Sequence, residues 1–206
     1  MTTKDRLEKL IEEKRAGQDE DALEFLESLK RSLTTWGELT EKQSAAFERI
    51  EYLSSEEGKD YVAAWQKEYS KNLVDDAKVC AKYYLANPPY FNDLASKILY
   101  NADFVPTEKQ YRAMCENKYT TKILKEHKRK PEFDNGEIVQ IRDITAMPYH
   151  LFPIKGKPCV VINNNSGNIT THARGAKVYK ILPFGKSTLF DCQERYLKSM
   201  KPQKKT

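Results

Sequence analysis

Positively charged side chains are the feature of this sequence whose types and spacing point most directly to chemistry. Between Lys118 and Lys130 there are six cations and one anion. Four of these cations recur at the spacing of one helix face: Lys118, Lys122, Lys125 and Arg129. Lys128 and Lys130 complete the run. Such a row can bind a phosphate backbone by releasing condensed counterions, although it can equally complement the negative end of a helix dipole.

The C-terminal region adds further cations beside aromatic residues. The cations are Arg142, Lys155, Lys157, Arg174, Lys177 and Lys180, and the aromatic residues are Tyr149, Phe152, Tyr179 and Phe184. Exposed rings among cations stack on unpaired bases, at about 1–3 kcal/mol per base. We therefore expect these cations, together with Tyr179, to contribute to a nucleic-acid-binding surface. If the rings belong to the core instead, binding would involve only the backbone and would be indifferent to base sequence.

The charge of the chain is unevenly distributed along its length. Residues 1–117 contain 17 Lys and Arg against 23 Asp and Glu, a net charge of −6, whereas residues 118–206 contain 18 against 7, a net charge of +11. This asymmetry predicts a basic half that faces an anion and an acidic half that faces water or a protein. The alternative is two solvated surfaces whose charges differ by chance.

Motifs for other kinds of chemistry are missing from the sequence. It contains no phosphate loop, Rossmann glycine set, zinc-protease motif, EF-hand loop or nucleophile elbow. The three histidines are far apart, and the four cysteines form no C-x-x-C pair, which favours reduced thiols over a zinc site or a disulfide framework. We expect no metal ion and no cofactor. Enzyme activity stays open, and a non-enzymatic role is favoured.

Length and composition limit the class of protein. The chain has 206 residues, of which 39% are apolar and 32% charged, so it is long enough for one or two folded domains. No window has the roughly 18 apolar residues of a membrane helix, and the N-terminus lacks the apolar region of a signal peptide. We expect a cytoplasmic protein that does not interact with membranes.

The N-terminal part of the sequence shows helical periodicity. Apolar residues recur three and four positions apart in four series: Leu7, Leu10 and Ile11; Leu23, Leu26, Leu29 and Leu33; Val62, Trp65 and Tyr69; and Ala77, Cys80, Ala81 and Tyr84. Short amphipathic helices of this kind are stable only when their apolar faces pack together. We predict a helical bundle over residues 1–130, ending in the basic helix or linker.

Two stretches of this helical part look like copies of one unit. Leu39-Thr-Glu-Lys-Gln-Ser-Ala-Ala-Phe47 and Pro106-Thr-Glu-Lys-Gln-Tyr-Arg-Ala-Met114 both contain a Thr-Glu-Lys-Gln string of capping-box form. Each follows an aromatic-rich predicted helix and a loop of similar length. The pair predicts a duplicated helix–loop–helix module; the alternative is that two common capping strings coincide.

The first copy carries a resemblance. Its pattern, Phe25-x-x-Ser28-Leu29 and then Gly37-x-Leu39-Thr40-x-Lys42-Gln43, is similar to a small helical module of bacteriophage proteins that often accompanies helicase, primase or other DNA-processing domains. The resemblance implies a phage-encoded protein in a nucleic-acid-related setting, and it identifies no catalytic residue.

The pattern changes from helical to strand-like after residue 130. Four stretches alternate between apolar and polar residues or are rich in β-branched residues, and turn residues separate one stretch from the next. The four stretches are Gly136–Asp143, Pro158–Ile162, Gly175–Leu182 and Ser187–Cys192. Short strands without room for crossover helices predict a small antiparallel barrel over residues 131–200, followed by a basic tail over 201–206. The glycine and valine positions of these strands resemble SH3-like barrels of nucleic-acid-binding proteins. The predicted fold class is therefore α+β.

Three functional hypotheses follow from these patterns. The leading one is a non-enzymatic nucleic-acid-binding accessory protein whose helical part binds a replication, recombination or transcription protein. The second is an enzyme, because Gly136-Glu-Ile-Val and Gly156-Lys-Pro-Cys-Val-Val also resemble toxin-type endoribonucleases, which implies roles for Arg142 and for Thr170 or Thr171. The third is an adaptor, or an inhibitor of a host enzyme, that acts through its acidic helices.

Overall fold

The computed structural model describes residues 2–17 and 19–200, so the basic tail over residues 201–206 lies outside the described residues. The chain forms two compact units, Met1–Glu68 and Tyr69–Thr206. The sequence places the domain boundary at residue 130, where helices give way to strands. In the structure the later helices belong to the same unit as the sheet, because they pack on one another and hydrogen-bond to it.

The part of the first unit that the structure describes contains four helices: α1 (Thr3–Ala16), α2 (Glu20–Trp36), α3 (Glu41–Ser54) and α4 (Glu56–Glu68). Its core contains the predicted stripes of the first two helices, including Leu7, Leu10, Leu26 and Leu29, together with Phe47 of α3. The helical periodicity of this part of the sequence is therefore confirmed.

The second unit begins with a π-helical turn over Tyr69–Leu73 and four further helices: α5 (Val74–Ala86), α6 (Asn92–Tyr100), α7 (Glu108–Cys115) and α8 (Thr120–Lys128). α5 is the central helix, against which α6, α7 and α8 all pack. Its predicted apolar stripe is buried at Ala77, Cys80, Ala81 and Tyr84.

Both Thr-Glu-Lys-Gln strings form the predicted capping boxes. The hydroxyl oxygens of Thr40 and Thr107 accept the backbone N–H of Gln43 and Gln110, each at 3.3 Å, and each glutamine side chain accepts the threonine N–H in return. These boxes begin helices of 14 and 8 residues, respectively. The start of each helix is confirmed, and duplication of a longer module stays a prediction.

The sheet has five antiparallel strands: β1 (Ile138–Ile141), β2 (Pro158–Gly167), β3 (Val178–Pro183), β4 (Phe190–Gln193) and β5 (Leu197–Ser199). Their order is β4-β3-β2-β1-β5, so β1 pairs with both β2 and β5. The α+β class is confirmed. Among the described residues β4 and β5 are edge strands that do not pair with each other, so the sheet is not closed into a barrel.

One face of the sheet forms the core of this part of the unit. Val139, Ile141, Val161 and Ile181 are buried at alternating strand positions, as the period of two requires. A 3₁₀ helix over Tyr149–Ile154 covers this face with Leu151 and Ile154. A second 3₁₀ turn, Glu194–Tyr196, leads directly into β5.

The helices were also compared with the requirements of a membrane span. Across residues 2–17 and 19–200, none combines the length and the apolar character needed to cross a bilayer.

Candidate nucleic-acid interface

A cleft between α8 and the loop that joins β2 to β3 gathers several of the predicted cations. Its volume is about 440 Å³, and its lining residues are Lys122, Lys125, Glu126, Arg129, His172, Ala173 and Arg174. We call this feature the basic cleft. Lys122, Lys125 and Arg174 are exposed, and none of the three forms an ion pair with a described residue. Residues 50 positions apart in the sequence therefore meet at one concave surface.

The carboxylate of the basic cleft is already occupied by partners within the protein. Glu126 accepts hydrogen bonds from the Arg129 guanidinium, at 2.7 Å between Oε1 and Nη2, and from the backbone N–H of Gly175 at 3.1 Å. Arg129 also pairs with Glu194 on the 3₁₀ turn before β5. Because Glu126 is neutralised locally, it opposes an anion in the cleft less than a free carboxylate would.

This network fixes the position of α8 on the sheet. Arg129 lies just after α8, Gly175 lies in the loop before β3, and Glu194 follows β4. Burial alone would raise the pKa of Glu126, but the hydrogen bonds and charge of Arg129 outweigh burial and lower it. The same bonds raise the pKa of Arg129. The pair is therefore ionised at neutral pH and holds the two walls of the basic cleft together.

Two residues that the sequence assigned to the interface are buried instead. Tyr179 has no exposed surface; its hydroxyl donates to Glu194 Oε2 at 2.6 Å and accepts the backbone N–H of Glu132 at 3.0 Å. Lys177 is only 4% exposed, and its Nζ donates to the backbone oxygen of His127 at 2.8 Å. Neither side chain faces a ligand, so both are removed from the candidate interface.

The reason for this correction is the alternation of side chains along β3. Tyr179 and Ile181 point into the core, and Lys177 precedes them with the same parity. Desolvation lowers the pKa of Lys177, and the neighbouring charge of Arg129 lowers it further. The lysine caps the C-terminal end of α8 through its bond to the His127 carbonyl oxygen, so its role is structural.

Four other predicted cations have partners within the second unit. Lys128 pairs with Asp76 at 2.6 Å, Lys155 with Asp143 at 2.7 Å and Lys180 with Asp191 at 3.0 Å, while Arg142 Nε donates to the backbone oxygen of Leu197 at 2.8 Å. The ion pairs are at least partly exposed, where such pairs contribute little and exchange readily. These cations are not brought to the basic cleft.

The remaining predicted cations are Lys118, Lys130 and Lys157, all of which are exposed. Lys118 lies just before α8, and its Nζ is 5.0 Å from the ring centroid of Tyr119. Lys130 lies just beyond α8, and its backbone oxygen accepts a hydrogen bond from Arg129. Lys157 precedes β2, at the end of the sheet where β1 ends.

Three residues beside the basic cleft were not singled out from the sequence. His172 lines the cleft, and the ring of Tyr119 lies edge-on to it with 5.4 Å between ring centroids. Arg195 has an exposed side chain. Its backbone N–H donates to the backbone oxygen of Gly175 at 2.9 Å, which places it next to the loop between β2 and β3. Tyr119 directly follows Lys118, a signal that the sequence contained; the position of Arg195 depends on the fold alone.

The residues implied by the resemblance to endoribonucleases are not brought together. Arg142 follows β1 and lies near the start of β2, because Gln140 of β1 pairs with Pro158, the first residue of β2. Thr170 and Thr171 come after the other end of β2, which is ten residues long. These residues therefore lie at opposite ends of β2, which spans at most roughly 30 Å at about 3.3 Å per residue. Thr171 Oγ1 is buried and has no hydrogen-bond partner among the described residues. This geometry does not favour the enzyme hypothesis.

The thiols of the chain are in environments that suppress reactivity. All four cysteines are buried and free of disulfides. Burial raises the pKa of Cys159 to about 11 and that of Cys192 to about 12, so both stay protonated at neutral pH. Across residues 2–17 and 19–200, no group of three or more His, Cys, Asp or Glu residues is arranged to hold a metal ion.

Clefts of the first unit have a different character. The one near the start of α1 has a volume of about 650 Å³, and its only charged lining residues are Lys4 and Glu38. A second, of about 540 Å³, mixes three cations with three carboxylates, including the ion pairs Arg6–Glu51 and Lys59–Glu56. Neither has the excess positive charge of the basic cleft.

The chain was compared with known proteins at three levels. It matches no protein-family model, and neither a curated protein nor a solved structure shows significant similarity to it.

Proposed function

We propose that this protein binds nucleic acid through the basic cleft and the adjoining Lys118, as a non-enzymatic accessory protein. The observation that carries the proposal is the convergence of Lys122, Lys125 and Arg174 on one concave surface whose carboxylate is held by Arg129. Cations that converge in space can each neutralise a phosphate and release counterions, whereas evenly scattered cations cannot follow one strand.

The distribution of charge between the two units supports this assignment. Residues 1–68 contain 11 Lys and Arg against 17 Asp and Glu, a net charge of −6, and residues 69–206 contain 24 against 13, a net charge of +11. The positive field therefore belongs to the unit that contains the basic cleft.

We further propose a setting for this activity, as expected from the sequence: a phage-encoded protein of the host cytoplasm that assists replication, recombination or transcription. The acidic first unit would bind the protein partner, and its helix α2 ends at Trp36, which is 78% exposed. Exposed tryptophan is enriched at protein interfaces. This same unit is the feature that favours the adaptor or inhibitor hypothesis.

The strand pairing supports an open, SH3-like barrel for the sheet. β1 pairs with both β2 and β5, so the first and last strands of the chain lie side by side, as in the strand order of an SH3-like barrel whose edges β4 and β5 stay open. The register of β2 with β3 shifts between Val161 and Gly167, and irregularities of this kind bend a strand, as the curvature of a barrel requires.

Charge reversal in the basic cleft tests the proposal. Fluorescence anisotropy with a labelled oligonucleotide would compare the full-length protein with the double variant Lys122→Glu/Lys125→Glu. The control is Lys78→Glu/Lys186→Glu, which changes the net charge equally at exposed lysines outside the cleft. We expect the cleft variant to bind about tenfold or more weakly than the control, because two phosphate contacts are lost. Equal affinity of the two variants would reject the basic cleft as the site.

A further inference from the structure

We infer that the ligand of the basic cleft is a single strand, with one unpaired base stacked on the ring of Tyr119. This inference rests on the proposed function and specifies its ligand. It follows from the aromatic residues at the mouth of the cleft, from the way the ring is held, and from the size of the cleft.

The aromatic surface at the mouth of the cleft consists of Tyr119 and His172. The side chain of Tyr119 is 43% exposed, and the two ring planes meet at 63° with 5.4 Å between centroids. Because His172 lines the basic cleft, the tyrosine ring lies next to the cleft lining. A strand with one base on this ring can place its neighbouring phosphates near the cations of the cleft.

Lys118 adds a cation beside the same ring. Its Nζ lies 5.0 Å from the centroid of Tyr119. A lysine side chain is flexible, so the ammonium can move from the ring to an incoming phosphate while a base takes its place on the ring. An aromatic ring flanked by cations is the arrangement by which proteins bind single strands through stacking and backbone contacts together.

The backbone beneath Tyr119 is fixed before any ligand arrives. Asn117 Oδ1 accepts the backbone N–H of Tyr119 at 3.0 Å, and Asn117 Nδ2 donates to the hydroxyl of Tyr84 on α5 at 2.8 Å. Tyr84 is itself buried against the ring of Phe91. The backbone that carries the ring is therefore anchored to the helical core, which lowers the entropy lost on binding.

The dimensions of the cleft favour an unpaired strand over a duplex. A volume of about 440 Å³ is in the range of sites that hold one small ligand, and a nucleic-acid duplex is much larger than such a ligand. In a duplex each base is covered on both faces by its neighbours and is reachable by a protein ring only after unstacking. A single strand offers a base face to Tyr119 without that cost.

The test compares strands with and without bases in the full-length protein. Single-stranded DNA, single-stranded RNA and a DNA duplex of equal length would be titrated against wild type, Tyr119→Ala and Tyr119→Phe. The control variant is Tyr100→Ala, which removes a 79% exposed ring at the end of α6, outside the lining of the basic cleft. A fourth probe is a single strand of the same length with abasic sites.

We expect wild type to prefer single strands to the duplex. Tyr119→Ala should weaken single-strand binding about 5- to 150-fold, the range that corresponds to loss of one stacked base, while Tyr119→Phe and Tyr100→Ala stay near wild type. Wild type should bind the abasic strand more weakly than the intact strand, by a similar factor. Tyr119→Ala should bind the abasic strand and the intact strand with equal, weak affinity. Comparison of DNA with RNA identifies which single strand is preferred.

Two results would overturn the inference in distinguishable ways. If single strands and duplex bind equally, and Tyr119→Ala binds like wild type while Lys122→Glu/Lys125→Glu does not, stacking is rejected and the proposed function stands. If wild type binds none of the probes, both are rejected. A circular-dichroism melt of Tyr119→Ala that matches Tyr119→Phe shows that any loss of binding is not a loss of folding.

Discussion

At the scale of single residues, Glu194 connects the sheet to the cleft. Its carboxylate accepts the hydroxyl of Tyr179 and the backbone N–H of Glu132, and it also pairs with Arg129. Since Arg129 holds Glu126, a buried tyrosine in the core is linked through two carboxylates to the wall of the basic cleft. Buried networks of this kind are stable only when every member has its partners.

Removal of one hydroxyl from this network should lower stability. Tyr179→Phe deletes the donor to Glu194 and an acceptor for two backbone N–H groups, those of Glu132 and Phe133. We expect the free energy of unfolding to fall by about 1–3 kcal/mol in urea denaturation. The control Tyr149→Phe, at an 87% exposed ring, should leave it nearly unchanged. Equal effects of the two substitutions would show that the network contributes nothing.

The carboxylate of Glu126 should make stability depend on acid pH. Because the folded pKa of Glu126 is below its ordinary value of 4.5, its contribution is fully present above about pH 4.5 and is lost as pH falls through the folded pKa. We expect the difference in unfolding free energy between wild type and Glu126→Gln to be largest near about pH 7 and to shrink on acidification. A difference that is constant across this range would contradict the assigned charge state.

Residue roles were the part of the site that the sequence predicted least well. Lys177 and Tyr179 are residue types expected in a nucleic-acid interface. They are spaced four and two positions before the core residue Ile181, so their side chains lie on the buried face, and this alternation is visible in the sequence. The pairing of Arg129 with Glu194, 65 positions away, had no local signal. By contrast, the row of Lys122 and Lys125 was predicted, because it depends only on helical spacing.

At the scale of secondary-structure elements, helix α8 is positioned by contacts at both ends. Asn117 anchors its start to α5, and Lys177 with Arg129 holds its end against the sheet. The helix therefore presents its lysines at a fixed angle to the loop that carries Arg174. The basic cleft is a consequence of this docking, so it could not be predicted from either segment alone.

The capping boxes allow a test of how local sequence fixes an element. Thr107→Ala removes the hydroxyl that accepts the Gln110 N–H at the start of α7, and we expect a loss of about 1 kcal/mol in unfolding free energy. Thr107→Ser retains the acceptor and should cost much less. If both variants unfold at the same denaturant concentration as wild type, the box does not stabilise α7.

Element boundaries were predicted well where the pattern is local. Apolar stripes located the early helices, and alternation located four of the strands, because burial of one face leaves a period in the sequence. The strand β5 has no such pattern: three residues after a 3₁₀ turn are too few to show alternation, and only pairing with β1 makes them a strand. Whether the two edge strands of a sheet pair to close a barrel is likewise a long-range property, and the local alternation of residues does not determine it.

At the scale of the whole molecule, the two units differ in net charge: the first is acidic and the second is basic. The acidic residues belong mainly to the first unit, and the basic cleft belongs to the second, which also contains the sheet. Composition predicted this polarity, since net charge can be counted along the chain. Which cations converge was decided by the fold: Lys122, Lys125 and Arg174 meet, whereas Lys128, Lys155 and Lys180 are paired elsewhere.

The most direct measurement of this convergence is the salt dependence of nucleic-acid affinity. Binding of a single-stranded oligonucleotide would be titrated between about 50 and 200 mM salt for wild type and for Lys122→Gln/Lys125→Gln/Arg174→Gln. Each neutralised phosphate of a single strand contributes about −0.7 to the slope of log affinity against log salt, so the triple variant should have a slope shallower by about 2. A wild-type affinity that ignores salt, or a triple variant with the wild-type slope, would contradict the basic cleft as the site where a nucleic-acid backbone binds.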